Sequence, residues 1–468
     1  MRGIELQRNS DISLSRQIYN TFRAQIIDGR MKSGEALPST RELAAQLAVS
    51  RNTVCEAYDM LLAEAFTESR QGSPTRVARD VHLDLPCRPE KSDQKHSTRD
   101  SKQKDRPVCN IKTDFRTGLP DLHKFPMHQW LQMMNKTSEQ LTPEQWGYTG
   151  PDGFAPLRRE IASWLFRSRG MDLDPDDVFI TAGATHALHL LSELLFTDPF
   201  EIIVEDPCHT GMLRALKNRG FKVIPASVDE HGLRAECLEG LHSKTLYVTP
   251  SHQFPLGGIL TAGRRAALIR YAAENKAYII EDDYDSEFRY VGPPVAPLYS
   301  MNPARVIYVG TFSKIIFPSL RIGYVILPHD LQNRWRYLRT HTDVQNPPFA
   351  QAALTEFLHS RRLDRHVQQM RKLYGQRRQV LLQALDKEFG KNHNVWGDAA
   401  GLHMAVAFPG HHFDAGFNHK CKANGIHLQT VETHCIHKGI HTDKLLLGYG
   451  HLHPEDIQAG ILLLGKCF

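Results

Sequence analysis

The chain has 468 residues, and 41% of them are hydrophobic, which allows two or three domains with large cores. Its 57 basic and 52 acidic residues leave a net charge of +5, too little to indicate nucleic-acid binding by itself. No apolar run approaches the length of a membrane span, about 18 residues. The first ten residues lack the apolar segment of a secretory signal. The eight cysteines form no Cys-x-x-Cys pair, so we expect a reduced, cytoplasmic setting without a metal site.

The first eighty residues contain three predicted helices and a β-wing. Apolar residues recur at helical spacing, and Ser39 or Thr40 and then Ser50 can cap the second and third helices. Two short helices joined by a tight turn are typical of a helix-turn-helix, and the Gly-Ser-Pro turn after them predicts a wing. The predicted helices cover residues 14–27, 41–47 and 51–64, and the wing covers residues 66–78.

Charge alone does not show what this first region binds. Residues 1–80 carry 11 Lys and Arg against 10 Asp and Glu, so DNA contacts would depend on where single arginines lie. The alternative is a small helical interaction domain. The motifs Leu-Pro-Ser-Thr-Arg-Glu-Leu-Ala and Val-Ser-Arg-Asn-Thr-Val resemble the winged helix-turn-helix of the GntR family of bacterial transcription factors. The resemblance implies that residues 12–79 bind double-stranded DNA through Arg41, Arg51, Thr53, Gln71 and Gly72.

Residues 80–111 separate this region from the rest of the chain. They are polar and mixed in charge, and they show no hydrophobic periodicity. Such a segment cannot bury enough apolar area to fold, so we expect a flexible linker.

From residue 112 to residue 468, strand-like runs alternate with helical ones. This alternation predicts an α/β domain with a mostly parallel sheet and helices on both faces. Ligands of such sheets bind at the carboxyl ends of the strands, and the polar motifs of this chain fall at those ends. The predicted strands include residues 178–181, 201–204, 246–248, 277–280 and 306–309.

The stretch from residue 310 to residue 323 contains Lys314 directly after a buried strand. A lysine in an apolar pocket can lose its proton and become a nucleophile that forms a Schiff base with an aldehyde. The hydroxyls of Thr311 and Ser313, with Arg321, could bind a phosphate. The alternative is a surface lysine followed by a structural arginine.

Five carboxylates crowd the segment from Glu281 to Glu287. Such a cluster at a strand end is costly unless a positive group balances it. A protonated pyridine nitrogen would balance it, as would nearby arginines or Mg²⁺. A second strand end, residues 181–187, has a small-residue turn that opens a helix, where backbone N–H groups can receive a phosphate.

Taken in order, these motifs resemble the fold type I pyridoxal-phosphate enzymes of the aminotransferase class. With the first region, they resemble the MocR subfamily of GntR regulators, which fuses both modules. The resemblance implies a smaller C-terminal subdomain, pyridoxal 5'-phosphate as cofactor, and Lys314 as the residue that forms the Schiff base. It further implies that Asp282 holds the pyridine nitrogen and Tyr284 the phenolic oxygen, that His209 stacks on the ring, and that the phosphate is bound by Gly183, Ala184, Thr185, Thr311, Ser313 and Arg321.

One difference from the aminotransferases bears on function. These enzymes hold the substrate carboxylate with an arginine on a late strand, where this chain has Leu446, and Lys444 lies nearby. We therefore expect a regulator whose second domain senses the cofactor, alone or with an amine, rather than a catalyst. The alternatives are an aminotransferase with an appended DNA-binding module and a bifunctional protein. The resemblance also implies a homodimer and a role in vitamin B6 or amine metabolism.

Overall fold

The structure is a computed structural model that describes residues 4–8, 10–69, 73–79, 111–293 and 295–468. The chain divides into two compact units, Met1–Asp105 and Arg106–Phe468. The predicted linker, residues 80–111, lies almost wholly outside the described residues, and so do Gln71 and Gly72 at the predicted wing tip.

The smaller unit contains the predicted three helices and two short antiparallel strands. A capping box fixes the start of the second helix, because the Ser39 side chain accepts from the backbone of Glu42, whose carboxylate accepts from the backbone of Ser39. The Ser50 side chain caps the third helix. The elements are α1 (Leu14–Ile27), α2 (Thr40–Leu47), α3 (Arg51–Ala63), β1 (Thr67–Glu68) and β2 (Arg76–Val77).

One apolar core holds the smaller unit together. Ile18 and Phe22 of α1 pack with Val54 and Leu61 of α3, and all four are at most 3% exposed. Between α2 and α3, Ala48 adopts a left-handed backbone that makes the tight turn. The predicted helix-turn-helix and the antiparallel arms of the wing are thus present.

The larger unit is an α/β structure whose elements follow the predicted alternation of strands and helices. Its helices are α4 (Met127–Glu139), α5 (Pro143–Trp146), α6 (Ala155–Arg169), α7 (Ala184–Leu194), α8 (Thr210–Arg219), α9 (Ala262–Asn275), α10 (His329–Thr342), α11 (Pro348–His359), α12 (Arg362–Phe389), α13 (Ala415–Ala423) and α14 (Pro454–Gly465). Its strands are β3 (Thr113–Asp114), β4 (Val178–Thr181), β5 (Glu201–Asp206), β6 (Lys222–Asp229), β7 (Gly232–Leu233), β8 (Thr245–Val248), β9 (Tyr278–Asp283), β10 (Val306–Thr311), β11 (Gly323–Ile326), β12 (Asn394–Trp396), β13 (His403–Ala407), β14 (Ile426–His427), β15 (Gln429–Thr430) and β16 (Lys444–Gly448).

The main sheet has eight strands in the order β4-β11-β10-β9-β8-β5-β6-β7. Six of them run parallel, whereas β11 and β7 are antiparallel to their neighbours. Both faces are covered, because one apolar cluster lies on each side of the sheet. The predicted fold class is therefore confirmed. Each of the five predicted strands is present, and three of them continue into the polar residues that follow the apolar run.

A smaller C-terminal subdomain follows the main sheet. Its antiparallel sheet has the order β12-β13-β16-β15, and β14 pairs in parallel with β3 from the start of the unit. The helices α12 and α14 pack together with this sheet around a separate apolar cluster. Among the described residues, no helix is both long enough and apolar enough to cross a bilayer.

A buried ion pair joins the start of the larger unit to α12. Arg377 donates from Nη2 to Asp121 Oδ2 at 2.6 Å, and the two side chains are 1% and 3% exposed. Removing one partner of such a pair leaves an uncompensated buried charge.

All five tryptophans of the chain lie after residue 112, so tryptophan fluorescence reports on the larger unit alone.

We expect Arg377→Met to lower the free energy of unfolding of the larger unit by about 3–5 kcal/mol, because Asp121 becomes an unpaired buried charge. Urea titration followed by tryptophan fluorescence measures the change. Arg116→Met is the control, since the Arg116 pair with Asp114 is half exposed and should contribute less than about 1 kcal/mol. Equal effects of the two substitutions would contradict the prediction.

Candidate cofactor and DNA-binding sites

A cavity of about 270 Å³ lies at the carboxyl ends of the parallel strands of the main sheet. Nine of the ten residues predicted to bind the cofactor line it. The tenth, Gly183, directly precedes α7 and touches the same arginine that lines the cavity. The nine are Ala184, Thr185, His209, Asp282, Tyr284, Thr311, Ser313, Lys314 and Arg321.

Lys314 is directed into this cavity and not into open solvent. Its Nζ donates to the backbone carbonyl of Gly118 at 2.7 Å. Burial lowers the pKa of Lys314, and the carboxylates of Asp285 and Asp282 partly oppose that effect. A lowered pKa increases the fraction of unprotonated amine, the form that can attack an aldehyde.

Every carboxylate from Glu281 to Asp285 has its own ion-pair or hydrogen-bond partner. These partners explain how the fold tolerates the predicted acidic cluster. Asp283 pairs with Arg169 at 2.6 Å, and Asp285 with His252 at 3.0 Å. Glu281 accepts from two backbone N–H groups of the segment that follows the strand. Arginine and histidine therefore balance part of the negative charge of the cluster. Balance by nearby arginines was one of the alternatives that the sequence left open.

Asp282 differs from its neighbours because one of its oxygens is left over. Its Oδ2 accepts from the Tyr247 hydroxyl at 2.7 Å, whereas Oδ1 is buried with no hydrogen-bond partner among the described residues. Burial and the neighbouring Asp283 and Asp285 raise the pKa of Asp282 to about 6. A buried acceptor without a donor suits a protonated ring nitrogen.

The phosphate-binding residues predicted from sequence meet at the other end of the cavity. Arg321 donates from Nη2 to the carbonyl of Ala182 at 2.6 Å, beside the first turn of α7. Gly183 has a φ of +85°, and a Cβ there would lie 2.9 Å from Arg321 Nη2. Only glycine allows the guanidinium to approach the helix start this closely, so an anion there would meet both a cation and free N–H groups.

The hydroxyls of Thr311 and Ser313 lie 3.1 Å apart and complete this polar end. The donor set as a whole fits pyridoxal 5'-phosphate, because it offers an amine, a buried carboxylate oxygen and a cationic phosphate site in one cavity. When bound, that cofactor supplies an electrophilic aldehyde and an electron-withdrawing ring.

Two predicted ring contacts have additional partners. The Tyr284 hydroxyl lies 3.1 Å from His252 Nδ1. His209 caps α8 by accepting from the Met212 N–H at 3.3 Å, with the Phe254 ring edge-on to it at 5.6 Å. Burial and nearby Lys314 lower the pKa of His209, which makes the ring neutral at pH 7.

Several lining residues escaped the sequence analysis. Gly118 is nearly two hundred residues away from Lys314 in the chain, and Tyr247 reads as an ordinary residue of a buried strand. Phe254 lies shortly after strand β8, and its residue type alone does not mark it as a cavity residue. His403 comes from β13 of the C-terminal subdomain, and burial with nearby His252 lowers the pKa of His403 far below its ordinary value.

Neither Leu446 nor Lys444 reaches the cavity. Leu446 is fully buried between Ala405 and Gln429 in the antiparallel sheet. Lys444 pairs with Asp443 at 2.8 Å and lies over the Trp396 ring. Arg321 is the one arginine among the described residues that line the cavity.

In the smaller unit, the predicted DNA contacts lie at the starts of adjacent helices. Arg41 and Arg51 are exposed, and Arg51 Nε lies 3.3 Å from the Thr40 hydroxyl. Thr53 is half-buried, and its hydroxyl lies 2.8 Å from that of Ser50. Exposed arginines at helix starts can reach phosphates and base edges.

Comparison with known proteins identifies both units. The model of the gntR family of bacterial regulatory proteins matches residues 14–77, and that of aminotransferase class I and II matches residues 110–435. The probable rhizopine catabolism regulatory protein MocR of Rhizobium meliloti is 30% identical, over 99% of this chain and 95% of its own length. The chain belongs to the MocR subfamily of GntR-type transcriptional regulators.

Two further similarities agree with this assignment. The pyridoxine biosynthesis transcriptional regulator PdxR of Corynebacterium glutamicum is 35% identical to this regulator, over 82% of this chain and 81% of its own. The crystal structure of a multiple substrate aminotransferase from Thermococcus profundus superposes with a TM-score of 0.71 at 26% identity, covering 76% of this chain and 91% of that one. The regulator is a DNA-binding protein whose aminotransferase-like domain takes pyridoxal 5'-phosphate as cofactor.

We expect Asp282→Asn to stabilise the cofactor-free protein at neutral pH. Because its pKa is raised when folded, Asp282 favours the fold below about pH 4, where it is protonated in both states. That contribution is lost as the pH rises through about 6. The raised pKa corresponds to a loss of about 3 kcal/mol in the free energy of unfolding at high pH. Urea unfolding followed by tryptophan fluorescence at pH 4 and pH 8 should show a gain at pH 8 alone.

Asp283→Asn is the matched control on the next residue. It leaves Arg169 without its ion-pair partner and should destabilise the larger unit at pH 8. A loss of stability in both variants at pH 8 would contradict the account of Asp282.

Proposed function

We propose that this regulator senses pyridoxal 5'-phosphate at Lys314 and that the bound cofactor changes its affinity for operator DNA. The observation that carries the proposal is the meeting of Lys314, Asp282 and Arg321 in one cavity of a chain that begins with a winged helix-turn-helix. A metabolic enzyme has no use for the exposed Arg41 and Arg51 at helix starts. In this proposal residues 12–79 form the DNA-binding domain, residues 80–111 the linker, and residues 112–468 the cofactor-binding domain.

Each predicted residue has a role in it. Lys314 would hold the cofactor through its aldehyde, and Asp282 Oδ1 would accept from the protonated ring nitrogen. Tyr284 would donate to the phenolic oxygen, and His209 would contact the ring face. The phosphate is held by Arg321, by the backbone N–H groups of Gly183, Ala184 and Thr185, and by the hydroxyls of Thr311 and Ser313.

The cavity favours sensing over amino transfer. An aminotransferase substrate carries a carboxylate, which needs a cation at the end of the cavity away from Arg321. Leu446 is buried in the sheet, and Lys444 is engaged by Asp443. His403 lines the cavity but is held neutral by its lowered pKa, so it offers no charge to a carboxylate. The second candidate function is an aminotransferase, which the intact Lys314 and Asp282 would support chemically.

The relatives' names indicate what the regulator controls. PdxR is named for pyridoxine biosynthesis and MocR for rhizopine catabolism. We propose that this regulator controls genes of vitamin B6 metabolism, because the cofactor itself can then be the signal. We further propose that an amine that condenses with the bound cofactor acts as a second effector.

The proposed functional unit is a homodimer with two DNA-binding heads. Operators read by helix-turn-helix proteins contain two half-sites, which require two heads. Two aromatic side chains of the larger unit are left in solvent close together in sequence: Trp146 is 57% exposed and Tyr148 is 88% exposed. Exposed aromatics of this size are enriched in protein interfaces, and a second copy of the chain would cover them.

We expect the purified protein to show a new visible absorbance band when pyridoxal 5'-phosphate is added, because the aldehyde becomes attached to Lys314. The band should be absent from Lys314→Ala. Lys217→Ala serves as control, since Lys217 lies at the end of α8, outside the residues that line the cavity. Adding α-amino acids should leave the spectrum unchanged. Turnover of an amino acid to its keto acid would favour the aminotransferase alternative.

We expect cofactor to change operator affinity in the same protein. Operator duplexes are first selected by the protein from a random-sequence library, and binding is then followed by fluorescence anisotropy at fixed salt. Arg51→Ala should weaken binding by about 1–3 kcal/mol whether or not cofactor is present. By linkage, the operator must shift cofactor affinity by the same factor.

Lys314→Ala separates cofactor sensing from DNA binding. This variant should bind the operator with an affinity that does not change when cofactor is added. Identical operator affinity with and without cofactor in the unsubstituted protein would refute the sensor proposal. Sedimentation of the complex should give two chains per duplex. A selected operator that maps to no gene of vitamin B6 metabolism would contradict the proposed target.

A further inference from the structure

A second cavity of the larger unit, about 420 Å³ in volume, is lined by four arginines. We call it the arginine cleft and define it by Arg167, Arg169, Arg289, Arg371, Ser286 and Glu287. It shares no lining residue with the cofactor cavity. Three parts of the fold build it: the end of α6, the loop after β9, and α12.

Two of the four arginines have carboxylate partners. Arg169 pairs with Asp283 at 2.6 Å, and Arg167 lies 3.6 Å from Asp364. Among the described residues, no carboxylate lies within ion-pair distance of Arg289 or Arg371. Arg371 Nε donates to the backbone carbonyl of Glu287 at 2.9 Å. The cleft therefore has an excess of positive charge.

Donors without acceptors point the same way. Arg169 Nε, Arg289 Nε and Ser286 Oγ are all buried and have no hydrogen-bond partner among the described residues. The Arg169 side chain is 95% buried, since only 5% of it is exposed. An arginine nitrogen can only donate, so the missing partner must be an acceptor. Leaving buried donors unpaired costs free energy, which a bound anion would recover.

The acidic residues of the cleft do not supply that anion. Asp364 is directed to Arg167 and lies 3.5 Å from Arg361. Burial and nearby Asp283 raise the pKa of Glu287 above its ordinary value, and its carboxyl lies outside ion-pair distance of every arginine among the described residues. Arg289 also lies close to Arg169, and burial together with that neighbour lowers the pKa of Arg289. An anion between these two guanidinium groups would relieve their repulsion.

We propose that the arginine cleft is a second ligand site of this regulator and binds the phosphate group of inorganic phosphate or of a small phosphate monoester. Guanidinium groups match phosphate oxygens with paired hydrogen bonds. Trp164 and Val367 form an apolar part of the wall, which leaves space for the organic portion of a monoester. This proposal is independent of what the cofactor does to DNA binding.

The test is equilibrium dialysis of the full chain with radiolabelled inorganic phosphate. The protein is first loaded with one equivalent of pyridoxal 5'-phosphate per chain, which fills the phosphate end of the first cavity, and unbound cofactor is removed so that it does not compete for the cleft. We expect one phosphate bound per chain and about tenfold weaker binding in Arg289→Gln. Arg365→Gln is the matched control, because Arg365 is an exposed residue of the same helix α12 and does not line the cleft. It should bind like the unsubstituted protein.

Two further variants keep the outcome decisive. Ser286→Ala removes one donor without removing charge and should weaken binding by a few-fold, even if Arg289→Gln fails to fold. Arg321→Gln impairs the first cavity and should leave one phosphate bound per chain when cofactor is omitted. Competition by unlabelled glycerol phosphate at lower concentration than by unlabelled phosphate would assign the site to a monoester, and the reverse order to free phosphate.

Any of three results would overturn the proposal. The first is no phosphate bound to the protein that carries one cofactor per chain and is free of excess cofactor. The second is equal binding by Arg289→Gln, Ser286→Ala and Arg365→Gln. The third is loss of all phosphate binding in Arg321→Gln. If cofactor failed to change operator affinity, phosphate binding at the cleft would be unaffected. The two proposals can therefore fail separately.

Discussion

A single unpaired carboxylate oxygen is the constraint on which the cofactor site depends. Asp282 Oδ1 is buried, and its partner oxygen is held in place by Tyr247. The sheet keeps this charge-bearing group buried at a cost in stability that the Tyr247 hydroxyl and the Lys314 ammonium offset only in part. Such a cost is common at functional sites, where a fold carries strain or unpaired charge for the sake of a ligand. Lys314, held by Gly118 across the same cavity, completes the arrangement.

Much of the fold could be predicted because local signals agreed with the final structure. The first helix was predicted with its observed limits, and Ser39 and Ser50 cap the next two as their residue types suggest. Five of the six parallel strands were visible as apolar runs, whereas β6 was not predicted. Strand β11 was not predicted, because it runs antiparallel directly after the lysine segment and its apolar residues read as part of that motif.

The site was predictable where chemistry-bearing residues follow strands, and less so where the fold brings distant parts together. Residue type and position after a strand were enough to predict Lys314, Asp282 and Arg321. Gly118 and His403 reach the cavity from opposite ends of the larger unit, and no local pattern marks them. The arginine cleft escaped for the same reason: its arginines come from three elements, and each alone resembles a surface residue.

The register of β9 places two different tasks on successive residues. Side chains alternate between the faces of a strand, so Asp282 lines the cofactor cavity while Asp283 holds Arg169 at the arginine cleft. Deleting one residue earlier in this strand would move Asp283 to the place of Asp282 at the cofactor cavity and would bring Tyr284, which cannot pair with Arg169 as a carboxylate does, to the place of Asp283. Evolution can therefore vary side chains around this strand far more freely than its length.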